Sequence, residues 1–305
     1  MFDFILDPLK IVVSWILVMF HSVFSKAFGV GSGVTWALSI VGLVLVIRIV
    51  LIPLFVKQIK SQRNLQLIQP QMKEIQTKFA GDRERQAMEM QKLYRETGTN
   101  PFSSCLPLLA QTPIFFALFS VLQGISMQHA QGVFTWAQYQ YLLPEAHNAT
   151  IFGVPLYGTF MNAAETDSPT ATRILAMVMV VLMTATTFIT QRQLIVKNVA
   201  ADNPIVQQQK VLLYVFPLVF AVGGVGFPIG VLLYWLTTNL WSMGQQFWVI
   251  RNNPSPGTPA HAAYLERKAA KDRKRGLDNA TPTENDASKQ QRVQPKRQSR
   301  SKRKK

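Results

Sequence analysis

Five blocks of apolar residues, each with at most one formal charge, constrain this chain more than any other feature. They lie near Trp36–Val56, Leu106–Ile125, Ile174–Ile189, Val211–Val225 and Ile229–Ile250. Each runs for about 15–22 residues, close to the ~20 that an α-helix needs to cross a bilayer. A buried helix of a soluble protein usually keeps a polar face, and these blocks show little of one. The sequence therefore predicts an all-α integral membrane protein with five transmembrane helices within residues 35–250.

The charge of the loops predicts how these helices are oriented. Residues 57–100 contain nine Lys/Arg, whereas residues 126–172 contain none. Residues 251–305 contain 16 Lys/Arg and 5 Asp/Glu, which places +11 of the formal net charge of +16 in this tail. Basic loops stay in the cytoplasm during insertion. We therefore expect a cell-membrane protein with its N-terminus and the loop 126–172 outside and its C-terminus in the cytoplasm, the bacterial inner membrane being the expected location.

The first 34 residues are expected to lie outside the membrane core. Residues 11–24 are apolar for only about 14 positions, which is short for a span. Lys10, Ser14, His21 and Ser25 recur on one helical face, with aromatic and apolar residues elsewhere. This pattern favours an amphipathic helix lying along the membrane surface. A sixth span and a secretory signal remain as alternatives.

Residues 57–100 are predicted to form a helical hairpin in the cytoplasm. The first arm has an apolar seam and the second a shorter one, at spacings of three and four: Leu65, Ile68, Met72, Ile75 and Phe79, then Ala87, Met90 and Tyr94. Between the arms, Gly81 suits a helix end and Asp82 an N-cap. Pro70 is expected to kink the first arm rather than end it.

The C-terminal tail, residues 251–305, is predicted to be basic and mostly disordered. A Pro-rich linker is followed by a possible short basic helix at 260–277, and beyond Asn279 almost no apolar residue remains. A terminal basic cluster is expected to contact ribosomal RNA or anionic lipid: Lys296, Arg297, Arg300, Lys302, Arg303, Lys304 and Lys305.

Arg48 is the most informative single residue. It lies in the first apolar block, eight residues before Val56, or about 12 Å from that end at 1.5 Å per residue. An arginine near a helix centre costs about 2.5–3.5 kcal/mol on insertion scales. The five blocks contain no Asp or Glu that could neutralise it. We predict that Arg48 faces a hydrated cavity; snorkelling to the cytoplasmic interface is the alternative.

Uncharged polar residues of other blocks are expected to line the same groove. Each alone is more often a contact between helices than a functional group. The candidates recur at helical spacings: Gln111 in the second block, Thr184, Thr187 and Gln191 in the third, and Thr238, Asn239 and Ser242 in the last, with Gln245 and Gln246 beside them.

With these elements in place, five runs resemble the YidC/Oxa/Alb membrane protein insertases, in the same order along the chain. They lie within residues 3–250 and include the Arg-containing exit of the first span and the Asn-Pro…Cys-Leu-Pro…Gln-x-Pro entry of the second. The runs are Ile47–Arg63, Ile68–Phe79, Asn100–Phe115, Thr186–Arg192 and Phe227–Gln246.

The resemblance implies a function and a site. Family members insert nascent membrane proteins, alone or beside the Sec translocon, through a groove whose arginine corresponds to Arg48 and whose last-span aromatic corresponds to Trp235. The large extracytoplasmic domain of Gram-negative members is not seen, which suggests the short form of Gram-positive bacteria and organelles. Nascent membrane proteins, the ribosome, the Sec translocon and anionic lipids are the expected partners. No enzymatic activity, cofactor or metal is expected.

Three other functions compete with this interpretation. A ribosome receptor or assembly factor without insertase activity would also use the basic tail. A secondary transporter commonly has intramembrane carboxylates or inverted repeats, and neither is apparent. An intramembrane protease needs a nucleophile and a base at depth, whereas all four histidines lie outside the five blocks.

Overall fold

A computed structural model of the chain describes residues 3–98, 100, 106–198, 215, 217–254 and 259–274. The chain divides into two compact units, Met1–His261 and Ala262–Lys305. Ten α-helices are described: α1 Asp3–Phe28, α2 Gly33–Val50, α3 Ile52–Leu67, α4 Gln69–Lys78, α5 Arg83–Thr97, α6 Leu106–Ser126, α7 Leu142–Asn148, α8 Pro169–Asn198, α9 Ile229–Asn252 and α10 Pro259–Lys274. Residues 217–224 are also helical.

The long helices α1, α2, α6, α8 and α9 form one bundle. Helix α1 packs on α2 and α6, while α9 packs on α8, α2 and α6. Large side chains that are almost fully buried fill the interior: Leu17 from α1, Trp36 and Leu43 from α2, Leu118 from α6, Met183 from α8 and Leu232 from α9. Because lipid tails are as apolar as these side chains, close packing rather than the hydrophobic effect holds such helices together.

Within the part of the chain that the structure describes, three helical segments are long and apolar enough to cross a membrane: Phe4–Phe28, Gly33–Val50 and Pro169–Arg192. A shorter apolar stretch, Gln111–Ser126, lies in α6. The chain is therefore a multi-pass membrane protein of the all-α class. The count of five spans stays a prediction, because Val211–Val225 lies partly outside the described residues.

Helix α1 turns its polar side inward rather than toward water. Ser14 and His21 are buried at 0% and 3% exposure, whereas Trp15 on another side is half exposed. The Ser14 hydroxyl accepts a hydrogen bond from the Val133 backbone N–H at 2.9 Å, and His21 Nε2 lies 2.8 Å from the Val30 carbonyl oxygen. The polar face predicted from the sequence therefore contacts protein rather than water. The placement of α1 along the membrane surface stays a prediction, with a sixth span as the alternative that the sequence left open.

Residues 127–168, called the cap below, cover the end of the bundle where α2 and α9 begin. The cap contains α7, two short 3₁₀ helices and a small antiparallel pair, β1 Thr150–Ile151 and β2 Val154–Pro155, which the sequence did not predict. The carbonyls of Gly158 and Leu156 accept hydrogen bonds from Ile229 and Gly230 at 3.0 and 2.9 Å. The cap thus satisfies backbone donors that the first turn of a helix leaves unpaired.

Helices α4 and α5 form an antiparallel pair, the helical hairpin expected from the sequence. Ile68 and Leu93 are buried, and the Tyr94 hydroxyl lies 4.0 Å from the Met72 sulfur. The seam of the second arm differs from the prediction, because Leu93 is buried and Ala87 is exposed.

The ends of these arms have clear causes. The Asp82 side chain caps α5 by accepting a hydrogen bond from the Arg85 N–H at 3.0 Å, as expected. Gly98 ends α5 in a left-handed conformation with φ 63°. The first arm is interrupted at Ile68, and Pro70 lies in the first turn of α4, where its missing N–H leaves no helical bond unmade.

The tail contributes one described helix, α10, with basic residues in its last turn. The predicted contact cluster Lys296–Lys305 lies outside the described residues, so its role stays a prediction.

The contact between Gly33 and the cap yields a stability test. A Cβ atom at Gly33 would collide with the Thr150 carbonyl oxygen and carbon, which are backbone atoms of the small β-pair. We expect Gly33→Ala to destabilise the folded protein by about 1–3 kcal/mol through this overpacking. The measurement is thermal unfolding of the purified protein in detergent.

Gly81→Ala is the matched control, since a Cβ atom there meets nothing within 4 Å. Equal unfolding temperatures for the two variants would contradict the docking of the cap on α2.

Candidate functional site

Arg48 lies closer to a helix end than the sequence suggested. Helix α2 ends at Val50 and α3 begins at Ile52, so the predicted run through Val56 is divided at Leu51. The cause is Pro53, which has no N–H to donate to the Ile49 carbonyl and so interrupts the helical ladder. The expected distance of eight residues from the end of the helix is therefore wrong, and Arg48 occupies the last turn of α2.

Even so, Arg48 is buried, with 8% of its surface exposed. Its guanidinium carbon lies 5.6 Å from the ring centroid of Phe55, within the range of a cation–π contact. It also lies near enough to Tyr234 of α9 to interact with it electrostatically. Three local ion pairs join described residues, and none of the three involves Arg48. A buried cation without a carboxylate partner needs water or a ligand to solvate it.

Three predicted groove residues lie at one depth. Arg48 in α2, Gln111 in α6 and Thr184 in α8 are each fifteen residues from the end of their helix that adjoins the cap. At 1.5 Å per residue this is about 22 Å from the cap. Within a hydrocarbon core of about 30 Å, that depth is in the half of the bundle opposite the cap.

Thr187 and Asn239 hold α8 and α9 together. The Asn239 amide donates to the Thr187 hydroxyl at 2.8 Å and to the Met183 carbonyl oxygen at 3.3 Å. Hydrogen bonds of this kind tie helices together inside a membrane protein. Their place in the groove stays a prediction, and their observed contact is structural.

Trp235 stands in an aromatic cluster formed by three elements. Its ring centroid lies 4.5 Å from Phe220, 5.4 Å from Phe115 of α6 and 5.9 Å from Phe227. The cluster forms an apolar wall on the cap side of Thr238 and Ser242, which follow Trp235 toward the other end of α9. The Ser242 hydroxyl donates to the Thr238 carbonyl oxygen at 2.8 Å.

Several buried polar atoms in this half of the bundle have no hydrogen-bond partner. Among the described residues, three polar positions singled out in the sequence hold such an atom: Gln111 Oε1, Thr184 Oγ1 and Gln246 Oε1. Two more, Trp36 Nε1 and Gln123 Oε1, lie nearer the cap. The Thr238 hydroxyl, by contrast, is within reach of the Tyr234 hydroxyl. A buried polar group left unpaired costs about 1–3 kcal/mol, so native proteins rarely keep several together without water or a ligand.

Sequence reasoning missed two residues next to Arg48. Phe55 belongs to α3, beyond the break at Leu51, so helical spacing did not relate it to Arg48. Tyr234 is buried, and its hydroxyl lies beside the Thr238 hydroxyl. Its neighbour Trp235 was singled out only through the resemblance. Gln191 is half-buried at the far end of α8.

The fold and the site define a class: a multi-pass, all-α membrane protein whose bundle encloses an arginine and several polar atoms that have no partner among the described residues. The model of the family described as "60Kd inner membrane protein" matches residues 27–256. The chain belongs to this family, as its resemblance to the YidC/Oxa/Alb insertases indicated.

Named relatives agree with that assignment. A protein of Streptomyces avermitilis called "Membrane protein insertase YidC" is 53% identical over 274 residues, covering 88% of this chain and 62% of the relative. A protein of the same name from Tropheryma whipplei strain Twist is 39% identical over 292 residues, covering 90% of this chain and 93% of the relative. This chain therefore spans less than two thirds of the Streptomyces relative's length and nearly all of the Tropheryma relative's.

A solved structure titled "Active YidC insertase crystal structure with the first transmembrane domain resolved" is also similar. It is 25% identical with a TM-score of 0.49, covering 78% of this chain and 46% of that one. The family assignment rests on the family model and the sequence relatives.

The two kinds of polar residue in the bundle should respond differently to removal of a hydroxyl. Thr187→Val removes a hydrogen bond from the half-buried Asn239 amide, so we expect a loss of about 1 kcal/mol in unfolding free energy. Thr184→Val removes a hydroxyl that has no protein partner, so the expected change is within about 0.5 kcal/mol of zero.

Denaturant unfolding of both variants in the same detergent makes the comparison. If Thr184→Val destabilised the protein as much as Thr187→Val, its hydroxyl would have a structural partner, and the assignment to an open polar region would fail.

Proposed function

We propose that this protein inserts nascent membrane proteins through a groove lined by Arg48 and the unpaired polar atoms of α6, α8 and α9. The observation that carries the proposal is the coincidence of a buried, carboxylate-free arginine with unpaired polar atoms in one half of the bundle. The names of the sequence relatives support the same activity.

The groove lowers the cost of bringing a polar segment into the membrane. Crossing hydrocarbon forces backbone and side-chain polar groups to give up water, at several kcal/mol for each unsatisfied group. Arg48 and the amide and hydroxyl groups at a similar depth replace part of that water. Burial of the client's apolar residues in lipid, at about 25 cal/mol per Å², then supplies the driving force.

The groove opens toward the hairpin end of the bundle and is closed by the cap at the other end. The proposal places the hairpin and the C-terminus in the bacterial cytoplasm and the cap outside, following the distribution of Lys and Arg in the loops. Clients then enter from the side where they are synthesised. The N-terminus is proposed to lie outside, with α1 along the outer surface of the membrane.

The proposed partners follow from charge and topology. Nascent membrane proteins occupy the groove, and the basic tail contacts ribosomal RNA, with anionic lipid as the competing acidic surface. Cooperation with the Sec translocon is proposed from the family resemblance. A membrane-anchored ribosome receptor without insertase activity is the second candidate, since the same tail serves both functions.

The activity proposed is not enzymatic. The described histidines lie at the cap end or beyond the bundle: His21 is buried against Trp36, His147 stacks on Tyr157, and His129 and His261 lie outside the long helices of the bundle. The described residues of α2, α6, α8 and α9 include no His, Asp or Glu.

Replacing Arg48 tests the proposed role in purified protein reconstituted into liposomes with a short membrane-protein client. We expect Arg48→Ala and Arg48→Glu to slow insertion about tenfold or more, since hydrogen bonds to a charged group contribute about 1.5–3 kcal/mol. Arg48→Lys should retain more activity because it keeps the charge. The insertion rate should decrease most for clients whose translocated segments are polar or acidic.

Ile49→Ala is the matched control, because Ile49 neighbours Arg48 and is 54% exposed on the outside of the bundle. Undiminished insertion of every client by Arg48→Ala would end the proposed role of the arginine. Full ribosome binding with no insertion by the unaltered protein would favour the receptor.

A further inference from the structure

Phe55 is the aromatic contact of Arg48 and belongs to a different helix. It lies in the first turn of α3, whereas Arg48 lies in the last turn of α2, with the break at Leu51 between them. The guanidinium carbon is 5.6 Å from the Phe55 ring centroid. The contact therefore bridges a point where the helical hydrogen-bond ladder is interrupted by Pro53.

Few other described groups contact the Arg48 guanidinium. Tyr234 approaches Arg48 from α9, and none of the ion pairs of the described residues reaches it. The face of an aromatic ring attracts a cation through its quadrupole, and the attraction increases where water is scarce. A ring accepts no strong hydrogen bond, so the guanidinium N–H groups keep their capacity to donate to a carbonyl or carboxylate.

The position of Phe55 follows the first arm of the hairpin. Helix α3 packs on α2 and α6, while α4 and α5 pack mainly on each other. A movement of the arm about the break at Leu51 would carry the ring away from Arg48. The first turn of α3 is thus placed to connect the hairpin with the charge in the groove.

We propose that Phe55 is a positioning residue for Arg48. Its ring acts as a latch that holds the guanidinium at the mouth of the groove. When the hairpin moves, oxygen atoms of a client replace the ring as the contact of the guanidinium. The exchange rests on the insertase function proposed above, whereas the latch itself does not. With the hairpin at rest, the ring shields the charge from the lipid. With the arm displaced, the same charge solvates the client's carbonyl or carboxylate groups.

Graded fluorination of the ring tests the latch. Phe55→3,4,5-trifluorophenylalanine nearly preserves the shape and apolar character of the side chain, but the fluorine atoms withdraw electron density from the ring face that attracts the cation. Nitroxide labels at Val34→Cys and Gly81→Cys, in a full-length Cys105→Ser background in liposomes, report the spread of distances between α2 and the hairpin turn. We expect the displaced population to increase about three- to tenfold, with the monofluorinated ring giving an intermediate value.

The control repeats fluorination in an Arg48→Gln background, where the ring has no cation to hold. There the distances should not respond to fluorine. A packing role would give the opposite pattern: Phe55→Leu would change the distances, while fluorination would leave them unchanged in both backgrounds. That result would overturn the latch.

Insertion of a short client by the same proteins separates this inference from the proposed function. The unaltered protein could fail to insert the client while the label distances still change on fluorination of Phe55. In that case the latch stands and the insertase function fails. If insertion is normal and the distances ignore fluorination, the latch fails alone.

Discussion

The burial of Arg48 without a carboxylate partner is the constraint on which this account depends. A cation in the last turn of α2 has three ways to lower its energy: reach the interface, pair with an acid, or face water. It is buried, and the ion pairs of the described residues do not include it. Water or a ligand must therefore solvate it, and the unpaired oxygens of Gln111 and Thr184 at the same depth indicate that the surrounding space is polar.

The cap closes this polar region at one end of the bundle. Its backbone carbonyls satisfy the first donors of α9, its N–H at Val133 binds Ser14 of α1, and its strand β1 lies against Gly33 at the start of α2. These contacts fix three helices at one end of the bundle with close backbone approaches. The opposite end has no such clamp among the described residues and holds the helix break, the hairpin and the unpaired polar groups. A groove closed at one end and adjustable at the other follows from that asymmetry.

The sequence predicted much of this because its signals were local. Apolar blocks indicated the helices, the heptad-like seam indicated the hairpin, and Asp82 marked the start of α5. It failed where tertiary contacts decide. The polar face of α1 was recognised, but its partners were not: Ser14 and His21 pair with the cap and with Val30, and periodicity alone does not distinguish a polar face turned to water from one turned to protein. The end of α2 at Val50 was missed because the effect of Pro53 was not weighed. The approach of Tyr234 to Arg48 depends on the packing of α9 on α2, which the sequence does not reveal.

Accessibility of position 48 to water tests the central claim most directly. Arg48→Cys in a Cys105→Ser background, reconstituted in liposomes, is treated with a membrane-impermeant thiol reagent applied to one side at a time. The account predicts labelling of the folded protein from the hairpin side and none from the cap side, whereas Leu43→Cys in the packed core should stay unlabelled from both. If position 48 is labelled only after unfolding, or from the cap side, the arginine does not face a groove open toward the hairpin.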